Sequence, residues 1–554
     1  MNQIPRNPTS AGLTFTPLGG TGEIGMNLNV YGVDDALLVV DCGMGFAGPE
    51  APEAELLVPD PAYLMANRDR LRGLVITHAH EDHIGGIARI WDALRCPIYA
   101  TPFTAALIRY RLSEAGLLRT VKIHEIKPGA AFEIAPFSLR YIQMAHSTPE
   151  AQALAITTRY GTILHTGDWK LDPEPLVGPP TDEAALQALG DAGVLAMISD
   201  STNALVEGHS GSESTVRKSL TALIAGLRGR VVVTCFSSNI ARIDTVVKAA
   251  AAADRHVALV GRSLAKYVEA AQEVGYLHDL PDFVPEDEVG RIPDDNLLIL
   301  ATGSQGEKRS ALARIAADTH RNIALGEGDT VIFSSRMIPG NERAIANVQD
   351  DLVRAGVNVM TADDHMVHVS GHPARDELRR LYRLVRPKYI IPTHGEWRHM
   401  AAQADLAEAE GISTLLLEDG DVARLAPGNP EVIDGVPVGR LAVDGDRLVP
   451  MQGGVMAARR RMMFNGVVVG SIAVDGSGRV KGGAQIAAPG LFEAQDAAIG
   501  ALEADFIASF EELPASLRSD RGAVKEAAQA TLRRVLGRRF GKRPLVDVHV
   551  IHVS

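Results

Sequence analysis

Four side chains that can bind a metal ion lie within six consecutive positions of the sequence, at His78, His80, Asp82 and His83. A lone histidine is more often a structural residue than a ligand, but packing alone does not explain four potential ligands in so short a stretch. His78 and His80 are two positions apart and can share one metal, whereas Asp82 and His83 diverge enough to serve a second. Imidazole and carboxylate ligands suit Zn²⁺ or Mn²⁺ and leave coordination positions open for water. The stretch therefore predicts a metal centre.

Three further candidate ligands stand at the ends of apolar runs elsewhere in the chain. His146 follows "LRYIQMA", Asp168 follows "GTILHTG", and His394 follows "RPKYIIPT". Each of these residues alone has an equally good structural explanation. Together with the cluster at 78–83 they favour a centre with two divalent ions, of which Zn²⁺ is the first choice and Mn²⁺ the second.

The elements that must position these residues are short apolar strands in the first 200 residues. The runs at 36–43, 72–80, 139–147 and 161–169 all end in polar residues, which is how a sheet delivers side chains to a site at its edge. The cluster then lies on a turn from a strand into an amphipathic helix, predicted over 82–95. Residues 209–369 change to helices that alternate with buried strands, a pattern typical of a parallel sheet. Because the strand–histidine pattern returns at 386–394, the middle block is predicted to be an insertion.

Composition limits the class of protein. The chain of 554 residues is long enough for more than one domain, and no apolar run approaches the length of a membrane helix. The N-terminal segment has no apolar signal region, and the three cysteines are too far apart for a thiolate zinc site. These features predict a cytoplasmic protein without a membrane partner.

The formal net charge of −13 argues on average against a nucleic-acid partner, but a basic channel can lie inside an acidic protein. Basic residues that fall in or beside the loops expected to face the site are Arg242, Arg262, Lys308, Arg309 and Arg336. A second basic cluster, "RRVLGRRFGKR" at 533–543, is explained at least as well by a solvated helix face.

One glycine-rich motif is set aside. "GTGEIG" at 20–25 matches the pattern of dinucleotide-binding loops, but that fingerprint requires a helix to follow. Here an alternating, strand-like segment follows, so we predict a tight glycine-rich turn.

The motifs "HAHEDH", "TGDW" and "PTHGE" resemble the metallo-β-lactamase superfamily, and the inserted block resembles the β-CASP module of nucleic-acid hydrolases. The ordered motifs "LGGTGEIGMN", "DSTNA", "GSESTV", "CFSSNIARI", "TGSQGE", "SSRMIPGNE" and "HVSGHPARDEL" are most similar to the ribonuclease J family. The resemblance implies an α/β fold, in which a metallo-β-lactamase αββα sandwich carries an inserted β-CASP α/β domain and a small C-terminal α/β domain. The boundaries we expect are 1–208 and 370–447 for the sandwich, 209–369 for the insertion, 448–465 for a linker and 466–554 for the C-terminal domain.

The resemblance also implies roles for individual residues. One metal would be held by His78, His80 and His146, the other by Asp82, His83 and His394, and Asp168 would bridge them. Asp82 would in addition hold the proton of the attacking water, and His372, oriented by Asp200, would be the general acid. The substrate phosphate would be bound by His368, Val369, Ser370, Gly371 and His372, with help from Ser237 or Ser238.

By the same resemblance, the protein would be a metal-dependent ribonuclease. It would cleave single-stranded RNA from the 5′ end, favour a 5′-monophosphate, have possible endonuclease activity, and act in RNA maturation and decay. Partners would be a second copy or a larger homo-oligomer, joined through the C-terminal domain, and RNA-degradation proteins.

Three alternatives stay open. A small-molecule metallo-hydrolase would explain the ligands but not the long insertion. A catalytically dead RNA-binding paralogue should have lost ligands, and none is missing. A DNA-directed β-CASP nuclease is disfavoured only by the "HVSGH" and "TGSQGE" motifs.

Overall fold

A computed structural model of the chain describes residues 12–48, 51, 54–338, 340–493 and 496–553. The chain divides into two compact units. The first comprises the residues up to Gly45 together with Val58–Gly439, and the second comprises Phe46–Leu57 and Arg440–Ser554.

Two β-sheets of the first unit share one apolar core, to which Phe15, Tyr31, Tyr141 and Ile391 contribute. The eight-stranded sheet has the order Glu431–Gly435, Asp421–Ala426, Leu13–Gly19, Leu28–Val33, Ala36–Val40, Leu71–Val75, Ile98–Ala100 and Ile123–Glu125. The seven-stranded sheet has the order Ala131–Ile134, Phe137–Gln143, Gln152–Thr158, Gly161–His165, Ala196–Asp200, Tyr389–Thr393 and Ser413–Thr414. A short pair joins Thr21–Gly22 to Gly395–Glu396.

Helices flank the two sheets. A second core packs Glu183–Ala192, Arg375–Val385 and Trp397–Ala409 against the seven-stranded sheet. On the side of the eight-stranded sheet lie the helices Ala62–Ala66, Glu81–Ile84, Trp91–Leu94 and Pro102–Glu114, with the 3₁₀ turn Arg68–Arg70. The layers are those of the predicted αββα sandwich.

The insertion forms its own parallel sheet, as the sequence predicted. Its order is His256–Val260, Leu297–Ala301, Val231–Thr234, Thr330–Phe333 and Asn358–Met360. Its helices are Glu213–Ala225, Ile240–Ala252, Arg262–Glu273, Ala311–Ala316 and Glu342–Arg354, with 3₁₀ turns at Glu286–Arg291 and Asp294–Asn296. The chain leaves the sandwich after Ala196–Asp200 and returns through the helix Arg375–Val385 to Tyr389–Thr393, which pairs in parallel with Ala196–Asp200. The insertion therefore connects two neighbouring strands that carry site residues.

The second unit combines two small sheets with helices. One sheet has the order Arg447–Pro450, Arg440–Asp444, Leu56–Pro59 and Gly45–Phe46, and the other has the order Val480–Ala487, Val467–Val474 and Leu545–His552. Its helices are Gly454–Asn465, Ala497–Glu511, Ala515–Ser519 and Val524–Phe540. The segment expected to be a linker, 448–465, thus contains a helix, and the closing strand is an edge strand paired in parallel with Val467–Val474.

One predicted element is wrong. The amphipathic helix expected over 82–95 forms only as Glu81–Ile84 and Trp91–Leu94. Gly86 donates its backbone N–H to the Cys42 carbonyl at 2.9 Å, and a Cβ on Gly86 would lie 2.5 Å from the Gly43 carbonyl oxygen. This close approach of two backbones replaces the continuing helix.

The strand predicted after the "GTGEIG" turn is present as Leu28–Val33, so no helix N-terminus is available there for a pyrophosphate. No helix among the described residues is long and apolar enough to cross a membrane.

Candidate metal centre

The cluster lies where the strand Leu71–Val75 ends at the edge of the sandwich. His78 and His80 follow the strand, and His80 is the N-cap of the short helix Glu81–Ile84, which carries Asp82 and His83. The remaining acid of the cluster, Glu81, is not among the metal-capable groups and instead forms an ion pair with Arg111.

The structure brings the seven predicted ligands together in two groups that share one carboxylate. Within each group the potential ligand atoms lie within 4.8 Å of one another. The first group is His78, His80, His146 and Asp168, and the second is Asp82, His83, Asp168 and His394. The shared residue, Asp168, follows the strand Gly161–His165 of the seven-stranded sheet and is 2% exposed.

Distances show that Asp168 faces both groups. Its Oδ2 lies 3.6 Å from His78 Nε2 and 3.3 Å from His83 Nε2, and its Oδ1 lies 3.5 Å from His394 Nε2. These separations are too long for strong hydrogen bonds, but they leave room for an ion between the atoms. Asp168 therefore contributes a carboxylate oxygen to both groups.

Orphaned polar atoms support the fit to metal ions. His78 Nε2 and Asp168 Oδ1 are buried and have no hydrogen-bond partner. Burying a polar group without a partner costs free energy, and such groups call for an explanation such as an absent ion. The imidazole and carboxylate donors of both groups fit divalent ions of the Zn²⁺ and Mn²⁺ type.

Four histidines of the cluster are held through Nδ1, so that Nε2 of each ring is the atom that faces the other potential ligands. His78 Nδ1 lies 3.1 Å from Thr77 Oγ1, and His83 Nδ1 lies 2.8 Å from Asp41 Oδ2. Thr77 Oγ1 itself donates to Asp41 Oδ2 at 2.8 Å, so its lone pair accepts from His78. Such outer hydrogen bonds fix the tautomer and the orientation of a ligating imidazole.

The two histidines from distant strands are oriented in the same way. His146 Nδ1 lies 2.7 Å from the Gly371 carbonyl oxygen. His394 Nδ1 lies 3.0 Å from Thr202 Oγ1, whose hydroxyl donates to the His394 carbonyl at 2.9 Å. The fixed imidazoles therefore depend on the loops at 200–203 and 368–372 as well as on their own strands.

Asp41 is a functional residue that the sequence reasoning missed. It is fully buried, and it accepts the Thr77 backbone N–H at 2.8 Å as well as the contacts from Thr77 Oγ1 and His83. Its φ of 62° lies in the left-handed region, where aspartate is one of the few residue types found. The available signal was its position directly after the buried strand Ala36–Val40, as His394 directly follows Tyr389–Thr393.

Burial favours the uncharged form of the three histidines in the first group. Burial lowers the pKa of His78 and His146 well below the usual value and that of His80 to about 4. A neutral imidazole is the form that binds a metal, so no proton has to leave these rings at neutral pH.

The second group is different because carboxylates dominate it. Burial lowers the pKa of His394, but Asp168 and Asp82 outweigh burial and raise it to about 9. Asp168, Asp82 and Asp41 likewise raise the pKa of His83 against the effect of burial. Protons on these rings balance the carboxylates in the metal-free protein, and a divalent cation would take over that role.

The predicted acid His372 lies beside the centre and bonds to Asp200. His372 Nδ1 is 2.8 Å from Asp200 Oδ2, and its side chain is 21% exposed. The second oxygen, Asp200 Oδ1, accepts the Thr202 backbone N–H at 2.9 Å, which is the turn role that the sequence alone would favour for this residue. Asp200 therefore both shapes its loop and orients His372.

The "HVSGH" loop is anchored by side chains from two directions. Asn203 donates to Ser370 Oγ at 2.7 Å and to the His372 carbonyl at 3.0 Å, and it accepts from Arg336 at 2.8 Å. A Cβ on Gly371 would lie 2.7 Å from His146 Cε1, so only glycine lets the loop approach the centre. Asn203 is a second residue that the sequence reasoning missed.

The remaining residues of the predicted phosphate pocket are His368 and Val369 of the same loop and the two serines of the insertion. Burial, and then Arg242, Arg336 and Lys170, hold the pKa of His368 well below its usual value, and Val369 is buried. Ser237 pairs with Ser263 at 2.8 Å, and within the described residues neither Ser237 nor Ser238 bonds to 368–372.

The prediction that Arg242 faces the site as part of a basic channel is wrong. Arg242 is fully buried and forms a two-pronged ion pair with Glu213, with N–O distances of 3.0 and 3.1 Å. It also donates to the Ser334 and Val367 carbonyls at 2.7 and 2.8 Å. Its position on the inward face of the helix Ile240–Ala252 makes it a structural residue of the insertion, whereas Arg336, Arg262, Lys308 and Arg309 are exposed.

Family models match four successive parts of the chain. Residues 27–233 match the metallo-beta-lactamase superfamily, residues 228–352 match "Ribonuclease J, beta-CASP domain", and residues 344–417 match "Zn-dependent metallo-hydrolase RNA specificity domain". Residues 454–553 match "Ribonuclease J C-terminal domain". These matches confirm the predicted metallo-β-lactamase domain, its β-CASP insertion and its C-terminal domain.

Curated relatives match almost the whole chain. Ribonuclease J of Sinorhizobium meliloti is 42% identical over 98% of this chain and 97% of its own. The proteins of the same name from Mycolicibacterium smegmatis and Helicobacter pylori (strain 26695) are 38% and 34% identical over 98% of this chain, and over 98% and 80% of their own lengths. A crystal structure of a protein of unknown function from Enterococcus faecalis shares the fold, with a TM-score of 0.52 at 16% identity over 74% of this chain and 99% of that one. The chain therefore belongs to the ribonuclease J family of the metallo-β-lactamase superfamily.

Proposed function

We propose that the protein is a two-metal phosphodiester hydrolase that degrades single-stranded RNA from the 5′ end and favours a 5′-monophosphate. The carrying observation is the pair of ligand groups that share Asp168, with His372 bonded to Asp200 beside them. Endonuclease activity at the same centre, and a cytoplasmic role in RNA maturation and decay, belong to the proposal.

Each group has a role that its contacts support. The first metal would be held by His78, His80, His146 and Asp168, and the second by Asp82, His83, His394 and Asp168. When bound, two divalent ions supply Lewis-acid stabilisation of the charge that develops on the phosphoryl oxygens and activate water as the nucleophile. Asp82 would accept the proton of that water, and its membership of the second group, 3.1 Å from His394 Nε2, supports this role.

His372 is placed to protonate the leaving oxygen. Its bond to Asp200 uses Nδ1, so Nε2 remains for a substrate atom. Asp200 and Asp168 raise the pKa of His372 against the effect of burial, which favours the protonated ring of a general acid. Asp200 acts through His372 and is therefore a positioning residue.

The "HVSGH" loop would bind a substrate phosphate. Ser370 and the backbone amides around Gly371 can donate to an anion, and the Gly371 carbonyl already touches the ligand His146. A phosphate held here would lie at a fixed distance from the metal groups, which is the requirement for counting from a 5′ end. Ser237 and Ser238 would assist from the insertion. RNA as substrate and homo-oligomers formed through the C-terminal domain follow from the family, and RNA-degradation partners are part of the same proposal.

The test uses one single-stranded RNA, labelled at its 5′ nucleotide and prepared with a 5′-monophosphate, a 5′-triphosphate or a 5′-hydroxyl. Each form is incubated with the full chain and either Mn²⁺ or Zn²⁺. We expect rapid release of labelled mononucleotide from the monophosphate form and much slower release from the other two. The His80→Ala variant is the control for contaminating nucleases.

Two results would contradict the proposal. Hydrolysis of a lactone or thioester without cleavage of RNA would favour a small-molecule metallo-hydrolase. Preference for single-stranded DNA of the same sequence would favour a DNA-directed nuclease.

A further inference from the structure

An arginine-lined cleft lies within the second unit. It encloses about 320 Å³ and is lined by Arg461, Arg533, Arg534, Gly537, Arg543 and Pro544. The helix Gly454–Asn465 supplies the first arginine, the helix Val524–Phe540 the next two, and the turn before the closing strand the last. None of the described residues that line the cleft is acidic.

The guanidinium groups of the cleft lack carboxylate partners. Across the described parts of the chain, no ion pair involves Arg461, Arg533, Arg534 or Arg543. Arg533 donates one long hydrogen bond, to the Val546 carbonyl at 3.5 Å. Their neighbours on the same helices are paired, because Arg459 bonds to Asp444 at 2.6 Å and Arg539 bonds to Asp505. The paired arginines on these helices thus lie outside the cleft.

The placement of these charges fits an anion of the phosphate type. Arginine presents a planar fork that binds phosphate in two-pronged fashion, and an exposed row of unpaired guanidiniums in a chain of net charge −13 is a local concentration of positive potential. A solvated face of one helix explains only Arg533 and Arg534, because Arg461 comes from another helix and Arg543 from a turn. The cleft volume lies within the range of small-ligand pockets.

Gly537 lines the cleft without a side chain of its own. It lies inside the helix Val524–Phe540, and a Cβ there would meet no atom within 4 Å. The cleft therefore has room for a side chain at this position, which makes Gly537 a site for testing it.

An exposed aromatic side chain lies close by on the helix that carries Arg461. Phe464 is three positions further on, so both side chains lie on neighbouring parts of the helix surface, and Phe464 is 72% exposed. A basic groove with an exposed aromatic ring is the arrangement that binds single-stranded nucleic acid, because phosphates contact the arginines and a base stacks on the ring.

We infer that the cleft of Arg461, Arg533, Arg534 and Arg543 is a second RNA-binding site, which holds the phosphodiester backbone of single-stranded RNA while a base stacks on Phe464. The inference rests on the proposed function for the choice of RNA as the anion. It adds a contact for RNA on the C-terminal unit, separate from the metal centre.

The test measures binding of fluorescently labelled single-stranded RNA, about 30 nucleotides long, to the full chain by anisotropy. All proteins carry His80→Ala to prevent cleavage. Arg533→Ala/Arg534→Ala removes two positive charges from the cleft, and Lys525→Ala/Arg539→Ala removes two from the same helix at residues already paired with Asp547 and Asp505. We expect the cleft variant to weaken binding about tenfold and to reduce the slope of log affinity against log salt by about 1.4, at 0.7 per phosphate contact, relative to the control.

Two further variants separate the cleft from damage to the fold. Gly537→Ala should leave the affinity for RNA within about twofold, whereas Gly537→Glu places an acid in the cleft and should weaken binding about tenfold. Phe464→Ala should weaken binding about fivefold without changing the salt slope. Melting temperatures of all variants check that the chain remains folded.

Equal affinities of the cleft variant and its matched control would overturn the inference. A changed molecular mass in light scattering, together with unchanged RNA affinity, would also overturn it and would assign the arginines to contact with a second copy. Cleavage of RNA by the chain without His80→Ala is measured separately. If that protein does not cleave RNA, the proposed function is wrong. The difference in RNA affinity between the two double variants still decides whether the cleft binds RNA.

Discussion

The metal centre and the arginine cleft differ in how their charged groups are surrounded. At the metal centre, charged groups are buried and each histidine is held by a second residue, as His83 is by Asp41 and His394 by Thr202. In the cleft, exposed arginines stand without acidic partners. Burial makes a misplaced charge costly, so the centre needs a complete set of neighbours, whereas exposed charges need none because water screens them. Large effects of substitution are therefore expected at the centre and modest, salt-dependent ones at the cleft.

The largest effect should follow from Asp168→Asn. This change keeps the shape of the residue that both ligand groups share but removes its charge. Both ligand groups would lose the carboxylate that they share. We therefore expect the rate of RNA hydrolysis to fall by at least about 10⁴-fold and the amount of bound metal to fall with it. Rates are measured on 5′-monophosphorylated RNA, and metal content by mass spectrometry. Full metal content with near-normal activity would show that Asp168 does not bridge two ions.

A large loss of stability should follow from Arg242→Ala. This variant leaves Glu213 buried without its partner in the insertion, and breaking a buried ion pair from one side costs about 3–5 kcal/mol. The matched control is Arg354→Ala, because Arg354 is 74% exposed beside Asp351 and its ion pair should contribute less than about 1 kcal/mol. Calorimetric unfolding of both variants gives the comparison. Similar melting temperatures would mean that burial does not set the strength of these pairs.

A smaller effect should follow from Asp41→Asn, which tests whether a residue outside the ligand groups positions His83. Asparagine tolerates the left-handed backbone at this position and can still accept the Thr77 N–H, but it lacks the charge that orients the ring. We expect metal affinity to fall about 10–100-fold, as for other outer-layer partners of metal ligands.

The control for Asp41→Asn is Asp35→Asn, at a side chain that is 75% exposed and paired with Arg70. Metal titration followed by calorimetry is the readout, so the result does not depend on catalysis. Equal affinities of the two variants would assign Asp41 to folding alone.

Much of the fold and the ligand set could be predicted from the sequence. Strand periodicity locates the sandwich and the insertion, and the ligands are visible because each follows an apolar strand, as His78 and Asp168 do. The spacing of His78, His80, Asp82 and His83 alone predicts a metal centre, because packing does not explain four potential ligands within six positions.

Other features could not be predicted because they depend on contacts between distant segments. The helix after the cluster is interrupted where Gly86 meets Cys42, and Asp41 matters only because Thr77 and His83 reach it. Arg242 looks like a channel residue in the sequence, yet it faces Glu213 in the interior.

The sequence by itself determined which residues can bind metal and which strands end beside them, since both follow from local residue type and period. Only the tertiary structure decided which side chains hold the imidazoles and which arginines stay free of partners. The physical reason is that a hydrogen bond or an ion pair joins whatever groups folding brings within about 3 Å of each other, regardless of their separation along the chain. Arg461 and Arg533 are 72 positions apart in the sequence and line the same cleft.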